Sequence, residues 1–176
     1  MEQVVICNLE SQDVRSVVKI AVAAWAPIYE YRRMILGDAL FLTLSSDWRK
    51  AKANQVKKTC LEYPNNVRVA KIEDRIVGFI TFHIDQTKRI GEIGNNAVHP
   101  DFQGKGIGTK LYRYVLDIFR KQGMQFARVF TGGDPAHAPA RKAYEKVGFS
   151  IQLPHVEYFQ DLSVEAKKIL IYKEKT

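Results

Sequence analysis

Three glycines at alternate positions, in Gln103-Gly104-Lys105-Gly106-Ile107-Gly108-Thr109, constrain this chain more than any other stretch. They follow an apolar segment that closes at Val98-His99-Pro100-Asp101. Beyond them Leu111, Tyr114, Val115, Ile118 and Phe119 recur at three- and four-residue intervals, the period of one helical face. Lys110, Arg113, Arg120 and Lys121 fall between, and Gly123 stops the helix. The order is strand, glycine turn, amphipathic helix. The first N–H groups of a helix have no intrahelical acceptor, and with the helix dipole they attract anions. Glycines carry no Cβ, so a phosphate can approach their backbone closely.

The spacing excludes two common phosphate binders. The P-loop pattern Gly-x-x-x-x-Gly-Lys-Ser/Thr is absent, and Thr109 stands where the dinucleotide fingerprint needs its third glycine. What remains is Gln103-x-x-Gly106-x-Gly108. Downstream, Phe126 to Thr131 reads as a short strand, bounded by Gly132-Gly133-Asp134-Pro135. A helix then starts near Ala138 and ends Tyr144-Glu145-Lys146-Val147-Gly148-Phe149. In this order and spacing, the two segments resemble the pyrophosphate loop and second signature of the GNAT superfamily of N-acetyltransferases. The resemblance covers roughly residues 68–160. It implies an α+β fold, a GNAT-type acyl-CoA N-acyltransferase architecture. Its central twisted sheet would be mixed, mostly antiparallel, with six to seven strands and about four flanking helices.

Length and composition bound the remainder. The 176 residues suit one domain with a full core, so residues 1–176 are read as a single domain with a C-terminal extension at 163–176. A 46% hydrophobic content is too high for a disordered chain. No apolar run reaches the roughly 20 residues of a membrane span, and Met1-Glu2-Gln3 lacks the basic start of a signal peptide. Cys7 and Cys60 have no metal or redox spacing; they read as reduced packing residues of a cytoplasmic protein, with no metal. The net charge of +8 favours anionic partners. No basic run or nucleic-acid motif accompanies it, so no specific nucleic acid is expected.

The N-terminal half supplies a strand over residues 3–9, then N-cap chemistry at Ser11-Gln12-Asp13. Val14, Val17, Val18, Ala21, Val22 and Trp25 stripe the next helix, which Pro27 is predicted to end or bend. A polar helix from Asp47 to Glu62 breaks at Pro64-Asn65-Asn66. Val67–Ile72 and Ile76–Ile84 form a hairpin around Glu73-Asp74-Arg75, and a strand from Ile90 to Val98 leads into the glycine loop. After Phe149, Ile151–Leu153 and Val156–Leu162 are predicted as a closing antiparallel pair. Residues 163–176 read as a short helix and an extended segment, suited to a homodimer contact or an extra strand.

The resemblance implies transfer of an acetyl group from acetyl-CoA, as cosubstrate, to a primary amine of an unidentified acceptor, read as a small molecule ahead of a protein. It assigns the cofactor phosphates to Gln103, Gly104, Lys105, Gly106, Ile107, Gly108 and Thr109, and the pantetheine arm and thioester oxygen to Asn96, Ala97 and Val98. Gly94-Asn95-Asn96 suits a strand irregularity. Glu92 is the proposed base, with His83 and Asp85 as alternatives. It lies six residues before Val98, on the same face if the strand is regular, and a bulge would break that parity. Tyr144 matches the general acid and also touches the cofactor. His137 replaces an asparagine common in the family and is read as a cofactor contact. Tyr29, Tyr31 and Arg32 are the acceptor candidates. A catalytically inactive coenzyme A-binding or regulatory module is the competing reading.

Overall fold

A computed structural model describes residues 3–162. Five strands form one sheet in the order β1 (Val4–Asn8), β2 (Val67–Ile72), β3 (Arg75–Asp85), β4 (Ile90–Val98) and β5 (Phe126–Val129). The first four pair antiparallel and β5 runs parallel to β4. A parallel neighbour requires a crossover, and α3 (Ile107–Lys121) supplies it. With α4 (Ala138–Lys146), α3 covers one face of the sheet, over Ile72, Ile80, Phe82 and Ile93. On the other face α1 (Val14–Ser45) and α2 (Trp48–Glu62) bury Val17, Ile20, Val56 and Cys60 against Val67, Val69 and Phe79.

The expected α+β class and mostly antiparallel sheet are observed, with fewer strands. The predicted strands at 151–153 and 156–162 do not form among the described residues. Ile151 and Leu153 are 92% and 95% exposed, and an extended segment becomes a strand only when its backbone finds a partner. The proposed structure of 163–176 lies outside the described residues.

Two helix expectations are also corrected. Pro27 does not end α1; it lies inside the helix, on an exposed turn where solvent can serve the carbonyl freed by the missing N–H. The break comes at Gly37, whose φ of 72° and ψ of 163° are open essentially to glycine alone. In α3 the buried stripe is Ile107, Leu111, Tyr112, Val115, Leu116 and Phe119, whereas Tyr114 faces solvent. At about 100° per residue, the buried positions span an arc from Ile107 on one side of Val115 to Leu116 on the other; Tyr112 lies within it and Tyr114 just past the Ile107 edge.

Gly91 shows how closely α3 approaches β4. A Cβ built there would meet the Phe119 ring at 2.3 Å. Phe119 is itself buried and packs edge-on against Phe82, so it has little room to yield. Gly91→Ala is therefore expected to lower unfolding free energy by about 1–3 kcal/mol, measured by urea denaturation.

Candidate active site

Strand β4 is paired on both sides only over its first half. Its register with β5 covers Ile90 to Ile93, after which β4 continues to Val98 without a neighbour on that side among the described residues. On its other side, Ile80 opposes Asn96 while Phe82 opposes Ile93, so β4 carries one extra residue at Gly94-Asn95. The bulge is sterically set: a Cβ at Gly94 would lie 2.6 Å from the buried Thr81 Oγ1. It also flips the strand's faces. Ile93 belongs to the core beneath α3, and Ala97, four residues on, belongs to the core beneath α1. The shared face expected for Glu92 and Val98 is lost for that reason.

Antiparallel alternation then decides which amides face the opening. His99 N donates to Val77 O at 2.8 Å, marking that pair as hydrogen-bonded. By alternation Ala97 is bonded to Phe79, while Asn96 and Val98 direct their backbone groups away from β3, into the gap beyond β5. The Val98 carbonyl there accepts from Gln103 Nε2 at 3.1 Å. Gln103 thus ties the glycine turn to the end of the strand.

The turn itself is built to receive an anion. Gly104 and Gly106 adopt positive φ values of 75° and 78°, and Gly106 caps α3 from the left-handed region. Among the described residues, the N–H groups of 104–109 have no intramolecular acceptor; the first bonded one is Lys110, to Gly106 O. No protein atom lies within 4 Å of a Cβ built on Gly104 or Gly106. Free donors, open space and a helix N-terminus together fit a diphosphate. Lys105 lies with Arg75 against the Phe102 ring, at 4.9 and 4.8 Å.

On the α3–α4 side of the gap, Asn96 joins two buried tyrosines. Its Nδ2 donates to Gly94 O at 2.9 Å and to Tyr144 Oη at 3.2 Å, while its Oδ1 accepts from Tyr112 Oη at 2.8 Å. The Tyr144 hydroxyl is thereby used as an acceptor. Its own proton reaches Asn96 Oδ1 only at 3.5 Å, a site Tyr112 already holds. Burial raises the Tyr144 phenol above its ordinary pKa, with the hydrogen bond from Asn96 opposing it; burial raises Tyr112 further. Tyr144 is thus a neutral hydroxyl with a proton to give. Tyr112 escapes the sequence reading because the periodic stripe is drawn through Tyr114 instead, and only its burial and its bond to Asn96 set it apart.

A cavity of about 1010 Å³ opens beside this network. Tyr29, Tyr31 and Arg32 from α1, Glu92 and Asn96 from β4, His137 and Tyr144 all line it. The Tyr29 ring also stacks on Trp48 at 4.2 Å, so one of its faces is committed to packing. The Glu92 carboxylate pairs through Oε2 with Arg128, its register partner on β5; Oε1 has no partner among the described residues. His83, opposite Glu92, is exposed, and Asp85 accepts from Lys88 N in the following turn; neither lines the cavity. His137 Nδ1 is 2.6 Å from Asp134 Oδ2, which leaves Nε2 to other partners. Burial works to raise the Asp134 carboxyl, but His137 holds it below the usual range.

The sequence profile of the Acetyltransferase (GNAT) family matches residues 26–149. The chain belongs to the GNAT acetyltransferase family. An uncharacterised N-acetyltransferase of Archaeoglobus fulgidus is 34% identical over 73 residues, covering 39% of this chain and 50% of that protein. A mycothiol acetyltransferase of Saccharomonospora viridis is 34% identical over 95 residues, covering 50% of this chain and 30% of that protein. The chain thus spans half or less of the length of these two relatives. Among solved structures, the PaiA N-acetyltransferase of Thermoplasma acidophilum in complex with coenzyme A superposes with a TM-score of 0.64 at 17% identity, over 85% of this chain and 91% of that one. The ribosomal-protein-S18-alanine N-acetyltransferase of Escherichia coli gives 0.62 at 17% identity, over 92% and 86%. At such identities the structural likeness concerns the fold.

Proposed function

We propose that this chain is an N-acetyltransferase that moves an acetyl group from acetyl-CoA directly to the primary amine of a small molecule. The observation that carries the reading is the Asn96–Tyr144 pair. It holds a buried, protonated hydroxyl at the gap in β4, next to a turn of unpartnered amides.

Acetyl-CoA, when bound, supplies an activated acetyl thioester. The N–H groups of residues 104–109 hold its diphosphate, and those of Asn96 and Val98 align its arm along the open half of β4. The Val98 N–H stabilises negative charge on the carbonyl oxygen during transfer, a contribution typically of about 3–4 kcal/mol. As the C–N bond forms and the C–S bond breaks, Tyr144 Oη gives its proton to the departing sulfur, and it regains one, by way of solvent, as the acylated nitrogen sheds its second proton. An ammonium with a pKa near ~10 must lose a proton before it attacks. Glu92, which lines the cavity, takes that proton directly or through water. His137 Nε2 contacts the cofactor arm. Tyr29, Tyr31 and Arg32 bound the acceptor.

Calorimetry with acetyl-CoA tests the binding half, and release of coenzyme A thiol across an amine panel tests the chemistry. The protein's own thiols interfere little, since Cys60 is buried, which pushes its pKa up to about 11, and burial raises Cys7 too. A folded protein without affinity for acetyl-CoA would refute the proposal. Glu92→Gln is expected to lower kcat by roughly 10²-fold. An unchanged rate at every pH would remove Glu92 from the mechanism. A catalytically silent binding module has no use for a buried tyrosine proton donor facing the cavity.

A further inference from the structure

Lys52 of α2 also lines the cavity, and its surroundings differ from those of every other charge there. Its Nζ donates to Asn95 Oδ1 at 3.1 Å and to Gln55 Oε1 at 2.7 Å, and it lies 4.5 Å from the centre of the Trp25 ring. An ammonium has three donors, so one is left. No carboxylate pairs with it among the described residues. Burial pushes its pKa down, and no neighbouring charge acts against that. By contrast, Lys58, two turns along the same helix and on its exposed side, pairs with Glu62.

Two of the three carboxylates that line the cavity are engaged elsewhere. Glu92 has Arg128 and Asp134 has His137. Glu157 belongs to the exposed segment after α4. A half-buried cation without a counter-ion costs free energy, and a bound anion offsets that cost. The aromatic rings of Trp25 and Tyr29 beside it suit a small organic group.

Building on the acetyltransferase reading, we infer that Lys52 is an anion site for the acceptor, which is an amine bearing a carboxylate. Lys52 is anchored on Asn95, and the Tyr144 hydroxyl on Asn96, the next residue, and all four line the same cavity. An acceptor in that cavity can meet Lys52 with its carboxylate while its amine lies toward the gap in β4; amino acids have that pairing of groups. Arg32, also without a carboxylate partner among the described residues, widens the positive rim.

Thiol release from acetyl-CoA over α- and β-amino acids, each matched with its carboxamide, tests the assignment. The acids are expected to exceed their amides in kcat/KM by roughly 10–100-fold, the effect of one charge-assisted hydrogen bond. Lys52→Met should collapse that ratio chiefly through KM, and Lys52→Arg should keep most of it; thermal melts confirm that both variants fold. Equal rates for acids and amides, or a ratio unchanged in Lys52→Met, would overturn the anion site and leave the acetyltransferase reading standing. Failure of both series in a protein that binds acetyl-CoA would overturn it as well. Absence of acetyl-CoA binding would instead strike the reading beneath it.

Discussion

Tyr144→Phe is expected to lower kcat by roughly 10²–10⁴-fold while leaving affinity for acetyl-CoA nearly unchanged. The substitution removes one oxygen and keeps the ring, which packs against Tyr112 and Phe149. Asn96 Nδ2 retains Gly94 O, and Oδ1 retains Tyr112, so the amide keeps its orientation. Stability should fall by no more than about 0.5–1.5 kcal/mol, the worth of one hydrogen bond. Loss of turnover without loss of fold or cofactor affinity would separate a proton donor from a structural tyrosine. The pH dependence adds a second check. A phenol whose pKa is raised stays protonated to higher pH, so the rate of the parent should show no acid ionisation below the ordinary tyrosine value of about 10. A decline set in well below that value, or a Phe variant with full turnover, would show that another group supplies the proton.

Gly106→Val should weaken acetyl-CoA binding by roughly 10–100-fold or more, read by calorimetry. Gly106 sits at φ 78° and ψ 6°, where an L-residue costs about 1–2 kcal/mol and a β-branched one more. A Cβ there meets no protein atom within 4 Å, so the variant can fold. The damage falls on the turn. Either the backbone leaves the left-handed region and the amides no longer converge, or the side chain fills the space that an anion must enter. Each charge-assisted bond lost is worth about 1.5–3 kcal/mol. Undiminished affinity in Gly106→Val would place the cofactor elsewhere.

Local information carried much of this protein. The strand–turn–helix unit at 98–121, the hairpin at 67–85 and the bulge at Gly94-Asn95 all form as their residues suggest. Each depends on neighbours within a few positions: glycine where φ turns positive, apolar residues at a fixed period, a breaker at each end. Where the reading failed, the deciding contact was distant. The residues after Phe149 have strand-like composition but no partner among the described residues. Pro27 is tolerated because its turn faces solvent. Tyr112 and Tyr114 are indistinguishable by composition, and only the rotation of α3 against the sheet buries one and exposes the other.

The amino-acid order alone determined a glycine turn at a helix N-terminus, its place after a strand, and a tyrosine on the helix that follows the next strand. These are consequences of short-range sterics and periodicity, which a linear chain already contains. Tertiary structure decided what those parts face. It freed Asn96 and Val98 by ending β5 early, gave Asn96 two tyrosines to hold, tied Glu92 to Arg128, and left Lys52 half-buried without a carboxylate. Such relations join residues tens of positions apart, and they exist only once both layers of helices have closed on the sheet.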